Sequence, residues 1–126
     1  MRYFLDTTLV IDLLRGQPTA RSRFAKLFED GDLIYVNEIV VCEAAAGSHV
    51  FPNLELLGLL RPLEFIQPGP ESALAAGRWR AEARRQGRVL SLADSLIAAA
   101  AEAAGATILT RNLRDFSLTQ VAVEGY

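Results

Sequence analysis

Four acidic residues stand where apolar segments end. Asp6 closes Phe4-Leu5-Asp6, Glu43 closes Val40-Val41-Cys42-Glu43, and Asp94 closes Ser91-Leu92-Ala93-Asp94. Asp115 follows the apolar run Thr107-Ile108-Leu109 after a short polar stretch. A carboxylate beside a core is expensive, because desolvation either costs free energy directly or raises the pKa until the group neutralises. Four of them brought together would also repel one another, and a bound hard cation is the usual relief. Carboxylate oxygens suit Mg²⁺ or Mn²⁺. Such ions lower the pKa of a bound water, orient it for in-line attack and neutralise charge on phosphate oxygens. Phosphodiester hydrolysis is therefore the chemistry this set could perform.

The elements that must position these acids read as one alternating α/β unit over residues 1–126. Arg2 to Leu5 predicts a short buried strand, followed by a helix through Leu9, Val10, Leu13 and Leu14 that stops near Gly16. Pro18 opens a second helix ending at Asp30-Gly31. Leu33 to Val36 is the next strand, Asn37 caps a helix running to Gly47, and a short helix lies between Pro52 and Leu60. Leu63 to Ile66 predicts a third strand, closed by Pro68-Gly69-Pro70. A long helix spans about Glu71 to Gln86, and an alanine-rich one spans Ser91 to Ala104 before Gly105. Thr107 to Leu109 and Gln120 to Val123 complete five strands, the last at an edge. Strands alternating with helices imply a mostly parallel sheet covered on both faces. Ligands in such sheets bind beyond the carboxyl ends of the strands, where strand order reverses. Asp6 and Asp115 follow strands, and Glu43 and Asp94 lie in helices that would pack beside that rim.

Each acid also has an ordinary alternative. Asp6 could cap the helix near Thr8, and Ser91-Leu92-Ala93-Asp94 matches a capping box. Glu43 could face solvent on the wet side of its helix, and Asp115 could pair with a nearby arginine. The inventory excludes other chemistries more firmly. His49 is the only histidine, so a two-histidine mechanism is unavailable, and Cys42 with His49 is too small a set for structural zinc. Ser48-His49 lacks a nucleophile elbow. Lys26, the only lysine, has no phosphate loop around it. Net charge is −2 with a pI near 5.4, which is not the global signature of a nucleic-acid binder. No apolar run is long enough to span a bilayer, no signal-peptide pattern precedes Asp6, and a single cysteine accords with a cytoplasmic protein.

Four stretches together resemble the successive motifs of the PIN domain. They are Leu5-Asp6-Thr7-Thr8-Leu9-Val10-Ile11-Asp12, Val41-Cys42-Glu43-Ala44 before Gly47, Ala93-Asp94-Ser95-Leu96-Ile97-Ala98-Ala99-Ala100, and Leu109-Thr110-Arg111-Asn112-Leu113-Arg114-Asp115-Phe116. More closely, the chain resembles the VapC-type toxins of bacterial toxin–antitoxin pairs. The resemblance implies an α/β/α sandwich and an acidic metal site of Asp6, Glu43, Asp94 and Asp115 that holds Mg²⁺ or Mn²⁺. Thr7 or Thr8, Thr110 and Asn112 would be the supporting polar groups. It further implies a metal-dependent endoribonuclease acting on tRNA or rRNA, a VapB-type antitoxin partner and a homodimer. Thr8 departs from the pattern, because many relatives carry asparagine there, and a hydroxyl does not reproduce both ends of an amide.

Beyond the acids, Arg80, Arg84, Arg85 and Arg88 gather on one side of the long helix and could grip phosphates. A merely solvated face is the alternative. Trp79, placed opposite these arginines, reads as a core or dimer contact. Leu54, Leu57, Leu59 and Leu60 form an apolar docking surface or, equally, part of the core. Two rival functions remain at this level: a catalytically silent PIN-like binding module and an acidic phosphotransfer or phosphatase domain.

Overall fold

The computed structural model describes residues 1–48 and 50–126; His49, considered above as a ligand, lies outside the described residues. Five strands form one sheet: β1 (Arg2–Leu5), β2 (Leu33–Val36), β3 (Glu64–Phe65), β4 (Thr107–Leu109) and β5 (Val123–Glu124). Their order is β3-β2-β1-β4-β5, and every pairing is parallel. β1 is the central strand, with Tyr3 opposite Ile34 on one side and Thr107 on the other. Successive residues Tyr3, Phe4 and Leu5 are all buried. A strand whose alternate side chains are both buried must be covered on both faces, as the unbroken apolar run predicts.

The covering elements are α1 (Thr7–Leu14), α2 (Pro18–Glu29), α3 (Glu38–Ala46), α4 (Leu54–Leu60), α5 (Pro70–Arg85) and α6 (Leu92–Ala104). The chain steps outward from β1 to β2 to β3, then returns past β1 to β4. With right-handed crossovers, that reversal puts α5 and α6 on the face opposite α1 to α4. α5 and α6 pack against each other through alanines. Ala75, Ala76 and Ala83 of α5 and Ala98 to Ala101 of α6 are all buried, and small side chains let the backbones approach closely. α6 stops at Gly105, whose φ of 63° is the left-handed cap that glycine adopts without strain. Arg2 Nη1 donates to Ala104 O at 3.0 Å, fastening the end of α6 to the start of β1.

Two strand boundaries differ from the sequence expectation. β5 forms at Val123–Glu124, later than Gln120 to Val123. Residues 117–121 are instead held in turns, with Thr119 N bonding Phe116 O and Val121 N bonding Thr119 Oγ1, so the ladder with β4 begins only at Ala122 O. β3 is trimmed to Glu64–Phe65, although Ile66 N still bonds Val36 O. Among the described residues no helix is long and apolar enough to cross a membrane.

Candidate active site

The reversal of strand order falls at β1, between β2 and β4, and the candidate acids gather beyond the carboxyl ends of these strands. Asp6 directly follows β1. It occupies the N-cap position of α1 yet makes no side-chain capping bond. Its Oδ2 instead accepts from Thr110 Oγ1 at 2.7 Å and from Thr8 Oγ1 at 3.0 Å. Only 4% of Asp6 is exposed, and burial pushes its carboxyl above the ordinary range, partly offset by the two hydroxyls. The alternative reading of Asp6 as an ordinary cap thus fails on geometry. Thr110 is fully buried at the end of β4, and its hydroxyl proton is committed to Asp6 because the oxygen accepts Asn112 N at 2.9 Å.

Glu43 comes from α3, which Asn37 starts by accepting Val40 N at 3.2 Å. The Asn37 amide also reaches Leu96 O, tying the beginning of α3 to α6. Glu43 is exposed, but Thr7 Oγ1 donates to its Oε1 at 2.6 Å. Thr7 and Thr8 therefore serve different acids, Thr7 holding Glu43 and Thr8 holding Asp6. Asp94 sits in the first turn of α6. Ser91 Oγ accepts Asp94 N at 3.0 Å, so the capping half of the sequence reading is realised. The Asp94 pKa is raised to about 6, first by burial and then by repulsion from Asp6, Asp115 and Glu43. Asp6, Asp115 and Glu43 thus all lie close enough to act on the charge of Asp94.

Asp115 lies in a 3-10 turn, Leu113–Phe116, anchored by the buried Phe116. Among the described residues no ion pair engages Asp6, Glu43, Asp94 or Asp115. Pairing of Asp115 with a neighbouring arginine is thereby set aside. Among the same residues no three acids are already gathered to the spacing of a metal cage. Asp6 is buried and Asp94 half-buried, while Glu43 and Asp115 are exposed, Glu43 still held by Thr7. Asn112 is exposed and contributes its backbone N–H, not its side chain, to the bonds around Thr110.

The four arginines differ in what holds them. Arg80 Nε donates to Leu90 O at 3.1 Å and holds the α5–α6 connection. Arg85 pairs with Glu82. Arg84 and Arg88 are exposed, and Arg88 reaches Ser117 Oγ, beside the turn that carries Asp115. Trp79 packs against the core, as expected, but one side of it lines a cleft of about 440 Å³ with Arg78, Arg85 and Gln120. It is thus not opposite all of the arginines. Lys26 is exposed on α2 and paired with Asp30 at 2.8 Å, which removes the lysine that a phosphotransfer site would want.

One buried acid escaped the sequence reading. Asp12 is 2% exposed within α1, where Arg111 Nη1 donates to both its oxygens at 2.9 and 3.0 Å and Tyr126 donates at 2.6 Å. The signal was present, since Asp12 lies among Leu9, Val10 and Leu13 as the other acids lie beside apolar runs. Its partners, 99 and 114 residues away, left no trace in the local pattern.

Comparison with known proteins decides the family. The model of the PIN domain matches residues 3–122. The chain belongs to the PIN domain family. A curated relative, Ribonuclease VapC19 of Mycobacterium tuberculosis, is 32% identical over 114 residues, 90% of this PIN domain and 91% of the relative. Ribonuclease VapC1 of Haemophilus influenzae is 25% identical over 121 residues, covering 92% and 90% of the two chains. Among solved structures, VapBC2 of Rickettsia felis bound to a promoter DNA fragment superposes with a TM-score of 0.82 at 24% identity, over 100% of this PIN domain and 99% of that chain. VapBC-1 of nontypeable Haemophilus influenzae gives 0.83 at 24% identity, over 99% and 98%. The fold and the resemblance to VapC-type proteins, both expected from the motifs, are borne out.

Proposed function

We propose that this PIN domain is a metal-dependent endoribonuclease of the VapC toxin type, which cuts tRNA or rRNA and so inhibits translation. The observation that carries the proposal is that Asp6, Glu43, Asp94 and Asp115 lie along one rim with no ion pair among the described residues to compensate them. The donor set fits a hard divalent cation, because all four contribute carboxylate oxygens and no soft ligand lies among them. When bound, Mg²⁺ or Mn²⁺ would supply an acidified water and charge neutralisation at the phosphate. The chain's own contribution is positional. Asp6 is oriented by Thr8 and Thr110, Glu43 by Thr7, and Asp94 by the first turn of α6. The repulsion that raises the Asp94 carboxyl to about 6 is what a bound divalent cation would relieve, holding the group ionised. The relatives' printed name, Ribonuclease VapC, supports the same reading.

The deciding experiment incubates purified protein with total cellular RNA in Mg²⁺ or Mn²⁺, with EDTA alongside, and maps the cut ends. Discrete cuts that EDTA removes support the reading. No cutting in either metal favours a binding-only PIN module, the second reading that the absence of a ready-made three-acid cage among the described residues supports.

RNA would run along α5. The segment 78–88 holds five arginines and one glutamate, a local excess of positive charge on a chain whose net charge is −2. Replacing both Arg84 and Arg88 by Gln is expected to weaken RNA binding and to reduce the slope of log K against log salt by about 1–2. Fluorescence anisotropy across a salt series measures this, and an unchanged slope returns these side chains to the merely solvated class.

A VapB-type antitoxin is the proposed protein partner, with the toxin itself forming a homodimer. Solved neighbours of this fold are VapBC complexes. Of the four leucines singled out in the sequence, Leu54 and Leu57 are exposed, whereas Leu59 and Leu60 pack partly against the core. Leu54 lines a groove of about 460 Å³ together with Ile11, Leu14 and Val50, and Leu57 follows three residues later on the same helix. Leu54→Glu with Leu57→Glu is expected to lose the antitoxin in a co-purification while leaving the melting temperature within about 2 °C, since exposed substitutions cost little.

A further inference from the structure

We propose that Tyr126 is a positioning residue, whose hydroxyl clamps α1 to the loop carrying Asp115 and thereby fixes Asp6 and Asp115 relative to each other. The consequence for metal binding rests on the metal-site reading above; the clamp itself does not.

The loop between β4 and Asp115 begins at Thr110-Arg111-Asn112, and Arg111 is held at both ends. Its guanidinium donates to both oxygens of buried Asp12, and its backbone N–H donates to Thr8 Oγ1 at 3.3 Å. Thr8 in turn donates to Asp6 Oδ2. The Tyr126 hydroxyl joins this chain at Asp12, donating to its Oδ2 at 2.6 Å. The segment leading to Tyr126 also follows the loop closely. Thr110 N bonds Glu124 O at 3.1 Å, and a Cβ built on Gly125 would stand 3.8 Å from Leu113 Cδ1 and 4.0 Å from Thr110 O. Three separate stretches, α1, residues 110–113 and residues 124–126, are therefore joined through one buried carboxylate and one threonine hydroxyl. The side-chain partners of Asp12 are Arg111 and Tyr126, not the rim acids, so its burial is explained by holding this junction. Polar partners that orient ligating carboxylates typically alter metal affinity by about 10- to 100-fold when removed.

The test is Tyr126→Phe, which deletes only the hydroxyl and leaves the Arg111–Asp12 pair to support the fold. Ile34→Val, a conservative trim of the buried β2 side chain, is the control for a purely structural loss. Two readouts are needed: Mn²⁺ affinity by electron paramagnetic resonance of the free ion, and hydrogen exchange at the Arg111 amide by NMR. The clamp predicts Mn²⁺ binding weakened about 10-fold and faster Arg111 exchange in Tyr126→Phe, with neither change in Ile34→Val. Equal Mn²⁺ affinity together with unchanged Arg111 exchange overturns it. If the unsubstituted protein takes up no Mn²⁺, the metal reading fails by itself, and Arg111 exchange alone decides the clamp: faster supports it, unchanged overturns it.

Discussion

Asp94→Asn is expected to lower RNA cutting by about 10³-fold while making the metal-free protein more stable. The loss follows from removing one charged oxygen ligand, worth about 4 kcal/mol at the reacting phosphate. The gain follows from linkage. The carboxyl of Asp94 is raised from 3.8 to about 6, so the folded state holds its proton more tightly than the unfolded chain does. Stability from this group is therefore present at acid pH and falls as pH rises through about 4 to 6, after which it stays low. Asparagine has the same shape and keeps its N–H on Ser91, but it cannot ionise beside Asp6, Asp115 and Glu43. Solvent reaches the rim, so the discounted gain at pH 7 is about 1 kcal/mol, or about 3–5 °C in melting temperature. Thermal unfolding of both proteins in EDTA at pH 4.5 and pH 7.5 checks it: the difference must widen at the higher pH. A fall in stability at pH 7.5 would mean that Asp94 is held by an attraction the geometry does not contain. Activity and stability pulling in opposite directions on one side chain is the signature of a functional rather than a structural acid.

Arg111→Ala should destabilise the fold by about 3 kcal/mol, and Asp12→Ala by less, about 2 kcal/mol. The asymmetry comes from exposure, since Arg111 is 50% exposed and Asp12 only 3% as side chains. Without Asp12, the guanidinium turns into water. Without Arg111, a buried carboxylate keeps only the Tyr126 hydroxyl. For a chain of this length the larger loss corresponds to about 10–15 °C in melting temperature. The double replacement should cost less than the sum, because the second change removes a charge that the first left stranded. Urea denaturation of the two single variants and the double variant reads all three numbers. Additive losses would show that Asp12 and Arg111 contribute independently.

The sequence carried the fold wherever a single element explained its own residues. Pro18 opening α2, Asn37 capping α3 and Gly105 closing α6 are local signals, and each element appears where they place it. The site was legible for a related reason, because an acid at the end of an apolar run conflicts with burial unless something answers it. What answers Glu43 was not legible: Thr7 lies 36 residues away, and nothing in α3 reveals that its exposed acid is held. The Asp12 junction shows the same limit more strongly, as does β5, whose start is set by side-chain turns at Thr119 rather than by its own apolar residues. The arginine face was legible only in part, because a wheel gives direction around an axis but not the neighbours that claim each side chain. Arg80 is taken by Leu90 O and Arg85 by Glu82.

The strand order also governs when a growing polypeptide can complete the candidate site. β1 is made first but occupies the middle of the sheet, and its second neighbour, β4, arrives more than one hundred residues later. Until β4 emerges, Asp6 lacks Thr110, the rim lacks Asp115, and one edge of the central strand stays open. Chains fold progressively from the N-terminus during synthesis. An interrupted translation product would thus carry three of the four acids without the turn that supplies the fourth, so on the proposed reading any activity waits for the last residues to be made.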